Sequence, residues 1–153
     1  MGIGSRSPDV GAGLRPAPTS AAQWLRAWGP AALWMVLIFA LSAVPEIPHH
    51  SGLPHARSRQ MDDTLRTIGH ACEYAVLAVL AWRALVRRRT ALAAAAWAAG
   101  GSLLYAASDE LHQRFVAGRT CSLEDWLVDL VGIVIALGIL LALRAFRKRM
   151  PMA

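Results

Sequence analysis

WLVDLVGIVIALGILLAL, residues 126–143, holds one charged side chain, Asp129, in an otherwise apolar run. About 20 such residues let a helix cross the roughly 30 Å hydrocarbon core of a bilayer. Three more stretches share this character: Ala27 to Pro45 without charge, Thr67 to Val86 with His70, Glu73 and Arg83, and Thr90 to Ser108 without charge. None shows strand alternation, and lipid forces each segment to satisfy its own backbone hydrogen bonds, which leaves helices. The sequence therefore predicts an all-α, integral membrane four-helix bundle, with spans about 27–45, 67–86, 90–108 and 126–143 in a domain covering 19–149. A hydrophobic content of 56% with 17% charge is outside the usual soluble range and agrees.

Charge sets the expected orientation. Eleven Lys and Arg residues fall on one side: Arg6, Arg15 and Arg26, then Arg83 and Arg87 to Arg89, then Arg144 and Arg147 to Arg149 including Lys148. Five fall on the other, namely Arg57, Arg59, Arg66, Arg114 and Arg119. Positive residues stay cytoplasmic, so both termini are expected inside and every acid except Asp9 on or near the outer side. The net charge of +6 hugs helix ends without aromatic interleaving, which argues against nucleic acid and for anionic membrane lipid as partner. The expected location is a cell (plasma) membrane, crossed several times.

Residues 1–18, rich in Gly, Pro and Ser, read as a disordered cytoplasmic tail. Ser20-Ala-Ala-Gln23 has capping-box spacing before a short interfacial helix, with Trp24, Trp28 and Trp34 suited to an interface belt. Ala40-Leu41-Ser42 resembles a signal cleavage site, but the uncharged run around it is longer than a signal's ~7–15 apolar residues, so retention is expected. His49, His50 and His55 in the first outer loop lack Cys or acid at a regular ligand spacing, so no metal set is legible, and no cofactor is implied. Small residues from Ala93 to Ser102, and Gly132 with Ala136, read as devices for close helix packing. Cys72 reads as packed and inert; together with Cys121 it is insufficient to establish a bridge.

Between two apolar spans lies SDELHQRFVAGRTCSLEDWLVDLVG, residues 108–132, with five acids, two arginines and a histidine. SDELHQ is expected to end the third helix, FVAGRT to turn, and Ser122-Leu-Glu-Asp125 to cap the fourth as a capping box. Helical neighbours three or four apart align His70, Glu73, Tyr74 and Leu77 on the second helix. They align Tyr105, Ser108, Asp109 and His112 on the third, with Glu110 and Gln113 on an adjacent strip, and Asp125, Asp129 and Gly132 on the fourth. Three polar stripes thus reach the same membrane end, and their convergence would form a site. Gly118 can take positive φ, and Arg119 offers a planar fork either to an anionic ligand or to Glu124 or Asp125.

These residues resemble the VanZ-like family. The resemblance is carried by Ser108 to Glu110, His112-Gln113, Phe115, Gly118-Arg119, Ser122, Asp125, Asp129 and Gly132, and upstream by Gly69, His70, Glu73, Tyr74 and Leu77 in GHACEYAVLAVL. It spans about residues 30–143. The chain departs from the pattern with Arg66-Thr67 where an Asp-Lys pair is common, Ala71 for Phe, and Ala117 for Pro. The resemblance implies a small four-helix membrane protein with a cell-envelope role, its type member being linked to antibiotic resistance against glycopeptides such as teicoplanin. It implies no particular reaction.

Two functions fit. One is an envelope protein binding a cell-wall precursor, lipid headgroup or envelope protein at an outer polar cleft. The other is a membrane-embedded hydrolase or transferase acting on lipid or glycan, with Glu73 or Asp109 as general acid or base, His112 carrying a proton and Arg119 holding an anion. A metal-assisted version would draw on His70, His112 and an acid, without any diagnostic motif. A transporter fits less well, because the ionisable groups gather at one end and two spans carry no charge.

Overall fold

The computed structural model describes residues 20–45, 56–119 and 122–150, with backbone alone for 56–63. Four helices follow in order: α1 Ser20–Ser42, α2 Ala56–Leu85, α3 Ala91–Gln113 and α4 Leu123–Arg149. All four are long and apolar enough to cross a membrane. The expected tail, the first-loop histidines His49, His50 and His55, and Cys121 lie outside the described residues.

The helices run past the expected spans, because a helix does not stop where lipid stops. α2 begins eleven residues before Thr67, in a polar segment whose Arg, Gln, Met and Leu are good helix formers. α4 continues through Arg147, Lys148 and Arg149 in its last turn, where cations oppose the negative end of the helix dipole. α1 is continuous from Ser20, with Pro30 inside it and no separate interfacial helix. Proline cannot donate to the carbonyl four residues back. That carbonyl belongs to Arg26, and Arg83 Nη2 of α2 donates to it at 3.5 Å.

Side chains cap the starts of α3 and α4. Thr90 accepts from Ala93 N at 3.2 Å at the start of α3. Gly118, at φ 82°, makes the turn after α3. Ser122 Oγ accepts from Glu124 N at 3.1 Å and Asp125 N at 3.4 Å, opening α4. Ser122→Ala is therefore expected to cost about 0.5–2 kcal/mol, read as a lower thermal midpoint in detergent; an unchanged midpoint would mean the cap is dispensable.

α2 and α3 form the middle of the bundle and each touches every other helix, while α1 and α4 flank them. The core combines small and branched side chains, among them Ala78, Ala98, Ala106, Ile38 and Ile133, around Tyr74. Outside, Leu33, Trp97, Leu104 and Ile139 are exposed. An apolar surface of this extent is what lipid contact requires and what a soluble monomer avoids.

Close packing is more selective than expected from small-residue content. At Gly132 an added Cβ would collide with the Ala71 carbonyl oxygen, so α4 lies directly on the α2 backbone. At Gly100 and Gly101 it would meet nothing, because those glycines face outward while Ala94, Ala95, Ala98 and Ser102 face the core. Two further expectations are corrected. Cys72 is exposed, since α2 buries the neighbouring His70 and Tyr74 instead. Trp34 is turned into the bundle, where its indole donates to the Glu73 carbonyl at 2.8 Å.

Candidate functional site

The three polar stripes meet at one end of the bundle, around the C-terminus of α1, the first half of α2, the end of α3 and the start of α4. His70, Tyr74, Asp109, Glu110, Gln113 and Asp129 are all buried there, Asp129, Gln113 and Tyr74 completely. The burial of this many polar groups demands partners.

Asp109 is the best supplied. Ser42 Oγ donates to its Oδ2 at 2.7 Å and Gln113 Nε2 donates to the same atom at 3.0 Å. This ties α1 to α3 inside the bundle, and Tyr74 packs beside the same carboxylate. Glu110 Oε2 accepts from the Ser122 backbone N–H at 2.9 Å. In a capping box the acid three residues after Ser122 would take that N–H. Here Glu110 of α3 takes it, and Asp125 instead pairs with Arg66 Nη2 of α2 at 3.3 Å. The motif is thus split between two helices, one half capping α4 and the other joining α4 to α2.

Arg119 has a partner that was not among the two expected. Its Nε donates to Val44 O at 3.2 Å and its Nη2 to Leu41 O at 3.4 Å. Arg119 thus fastens the C-terminal end of α1 and the residues just after it to the turn between α3 and α4. The same guanidinium lines a cleft of about 140 Å³ together with Leu41, Ser42, Arg66, Gly69, His70 and Glu73. Two arginines therefore flank a small polar recess floored by a histidine.

Deeper in, His70 of α2, Glu110 of α3 and Asp129 of α4 converge with one ligand-type atom from each lying within 4.8 Å of the others. His70 Nδ1 and Asp129 Oδ1 are 3.8 Å apart, beyond hydrogen-bond reach. Gly132, one turn along from Asp129, permits the close α4–α2 approach that brings this pair together.

Of the expected stripe on α3, two residues turn away. Ser108 is exposed and bonds Tyr105 O of its own helix at 2.7 Å. His112 stacks on Phe39 of α1 with ring centroids 4.4 Å apart. Tyr105 donates to Met35 O at 2.6 Å, fixing α1 on α3. Glu73 is half-buried at the cleft. Two contributors went unnoticed in the sequence. Arg66 stands four residues before His70, on the same helical face, and that spacing was the available signal. Ser42 offered only its polarity at the end of an uncharged segment.

A multi-pass membrane bundle whose polar groups are buried among helices at one end defines the class of this protein. The family model described as VanZ/LLP1 matches residues 27–144, and the chain belongs to that family. Searches of curated proteins and of solved structures returned no significant match.

Proposed function

We propose that this VanZ/LLP1-family protein lies in the bacterial cell membrane with both termini cytoplasmic and its acidic end outward, where the cleft takes an anionic headgroup. The ligand chemistry is a phosphate-bearing group, from a membrane lipid or a lipid-linked cell-wall precursor. The observation that carries this reading is the pairing of Arg66 and Arg119 on one recess at a helix-end level of the bundle. Both guanidiniums are held in place by other contacts, Arg66 by Asp125 and Arg119 by the carbonyls of Leu41 and Val44. A planar fork fixed in this way loses less freedom when it binds an anion. The recess is small, which suits the charged end of a ligand whose remainder stays in lipid or water. By this reading the protein affects glycopeptide susceptibility by occupying or presenting a wall intermediate.

The test is binding by the full chain in nanodiscs to three probes: a lipid-linked wall precursor, phosphatidylglycerol and a neutral phosphatidylcholine. Arg119→Gln is expected to weaken the preferred anionic probe by about 10- to 100-fold, the value of a charge-assisted hydrogen bond. The precursor and phosphatidylglycerol arms separate the two sources of phosphate. Equal affinity for the neutral lipid, or no effect of Arg119→Gln, rejects the reading.

The enzyme reading is favoured by one observation, the buried convergence of His70, Glu110 and Asp129 behind the cleft. It shifts the proton-handling role from His112, which stacks on Phe39, to His70. Product formation from either anionic probe, lost in His70→Gln, would establish it.

A further inference from the structure

His70, Glu110 and Asp129 present an unusual balance of donors and acceptors. Asp129 is fully buried and neither of its oxygens has a hydrogen-bond partner among the described residues. Glu110, 4% exposed, uses Oε2 on Ser122 N–H and leaves Oε1 without one. His70, 5% exposed, leaves Nδ1 without one. These residues, one from each of three helices, thus carry four buried polar atoms without a partner among the described residues, and one ligand-type atom of each lies within 4.8 Å of the others. A buried carboxylate without a partner costs several kcal/mol, so an arrangement of this kind calls for a cation or protons. His70 Nδ1, were it to carry the proton, stands 3.8 Å from Asp129 Oδ1, too far to donate to it. One water would bring two protons to these four atoms.

We infer that His70 Nδ1, Glu110 Oε1 and the Asp129 carboxylate form a binding site for a divalent first-row transition-metal ion. Bonds of about 2.0–2.2 Å place ligand atoms roughly 3–4 Å from one another, and the three ligand atoms already lie within 4.8 Å of one another. The imidazole nitrogen favours zinc over magnesium and calcium, which take oxygen donors, while the two carboxylates also suit manganese. Three protein ligands leave coordination positions open, as in sites that hold a water or substrate group.

The surrounding structure supports each ligand. Ser122 N–H holds Glu110 by its other oxygen, orienting Oε1 as an outer partner orients a metal-bound carboxylate. Gly132 sets the α2–α4 spacing. His70 also lines the cleft flanked by Arg66 and Arg119, so an ion reaches the site from that recess. The sequence showed no ligand spacing because each of the three residues comes from a different helix.

The inference is independent of the anion reading, because its readout is the ion and not a lipid. Full-length protein in detergent is stripped with chelator, reloaded with Zn²⁺ or Mn²⁺, desalted and analysed for bound metal. About one equivalent per chain is expected, with a raised thermal midpoint, as for a three-ligand site. Asp129→Asn and Glu110→Gln should each weaken uptake by more than about 100-fold, exceeding the loss typical of an outer partner. A triple variant, His49→Gln with His50→Gln and His55→Gln, should keep the equivalent. The proposal fails if wild-type protein retains neither ion, if Asp129→Asn and Glu110→Gln retain it as the wild type does, or if the triple variant loses it. Should both carboxylate variants lose helical content, ¹¹³Cd NMR of the wild type decides. A shift typical of oxygen donors with one nitrogen supports the site, and one typical of several nitrogens overturns it.

Discussion

Gly132→Leu is expected to be the most disruptive single change in the bundle. A Cβ at this position would sit 2.9 Å from the Ala71 carbonyl carbon and 3.0 Å from its Cα, with the carbonyl oxygen closer still. The obstacle is backbone on an adjoining helix, so no rotamer change relieves it. Overpacking a well-filled interior typically costs about 1–3 kcal/mol and occasionally more. Gly132→Ala should fall within that range and Gly132→Leu above it, with α4 forced off α2. Thermal unfolding in detergent should show both losses in that order. A wild-type midpoint for Gly132→Leu would mean that the two helices are not in contact at this level. Gly138→Leu on the same helix is the control, because an added Cβ there meets nothing within 4 Å.

Asp109→Ala should come next, at about 2–4 kcal/mol. The carboxylate is 3% exposed and accepts from Ser42 Oγ and Gln113 Nε2, themselves buried. Its removal strands both donors, and an unsatisfied buried group costs about 1–3 kcal/mol. Hydrogen bonds between membrane helices measure lower, about 0.6 kcal/mol on average and up to about 1.7, which holds the total near this figure. Asp109→Asn keeps a carbonyl acceptor and should lose less. Hydrogen exchange should localise the effect to the C-terminal turns of α1, since Ser42 anchors that end to α3. Equal losses for alanine and asparagine would mean that charge and not acceptor capacity is what this position supplies.

Both variants bear on the candidate site, in different ways. Gly132 governs the distance between α2 and α4, hence between His70 and Asp129. Asp109 governs how α1 closes over the cleft that Leu41 and Ser42 help to line. Arg119 acts at the same closure from the α3–α4 turn, through Val44 O and Leu41 O.

Much of this end of the protein was legible along the chain. The apolar runs specified four helices because lipid leaves no other way to satisfy the backbone. Ser122 announced the start of α4, and Gly118 the turn before it, through local rules that act within a few residues. The rotation of α3 was beyond such rules. At about 100° per residue, Asp109 belongs equally to a stripe through Ser108 and His112 or to one through Ala106, Glu110 and Gln113. The small face of Ala98, Ser102 and Ala106 packs inward and selects the second, leaving Ser108 outside and His112 against Phe39.

Partners distant in sequence were likewise undecidable beforehand. Asp125 had the spacing to close a capping box, yet Arg66 lies within reach and Glu110 has taken the N–H it would have bonded. Arg119 had acids close in sequence, yet it bonds the carbonyls of Leu41 and Val44, far from it along the chain. Four helices, the Ser122 cap of α4 and the gathering of charge at one end follow from local composition and from lipid as solvent, and were readable along the chain. Which charges meet was settled by packing, because it depends on how four helices rotate and how closely Gly132 lets two of them approach.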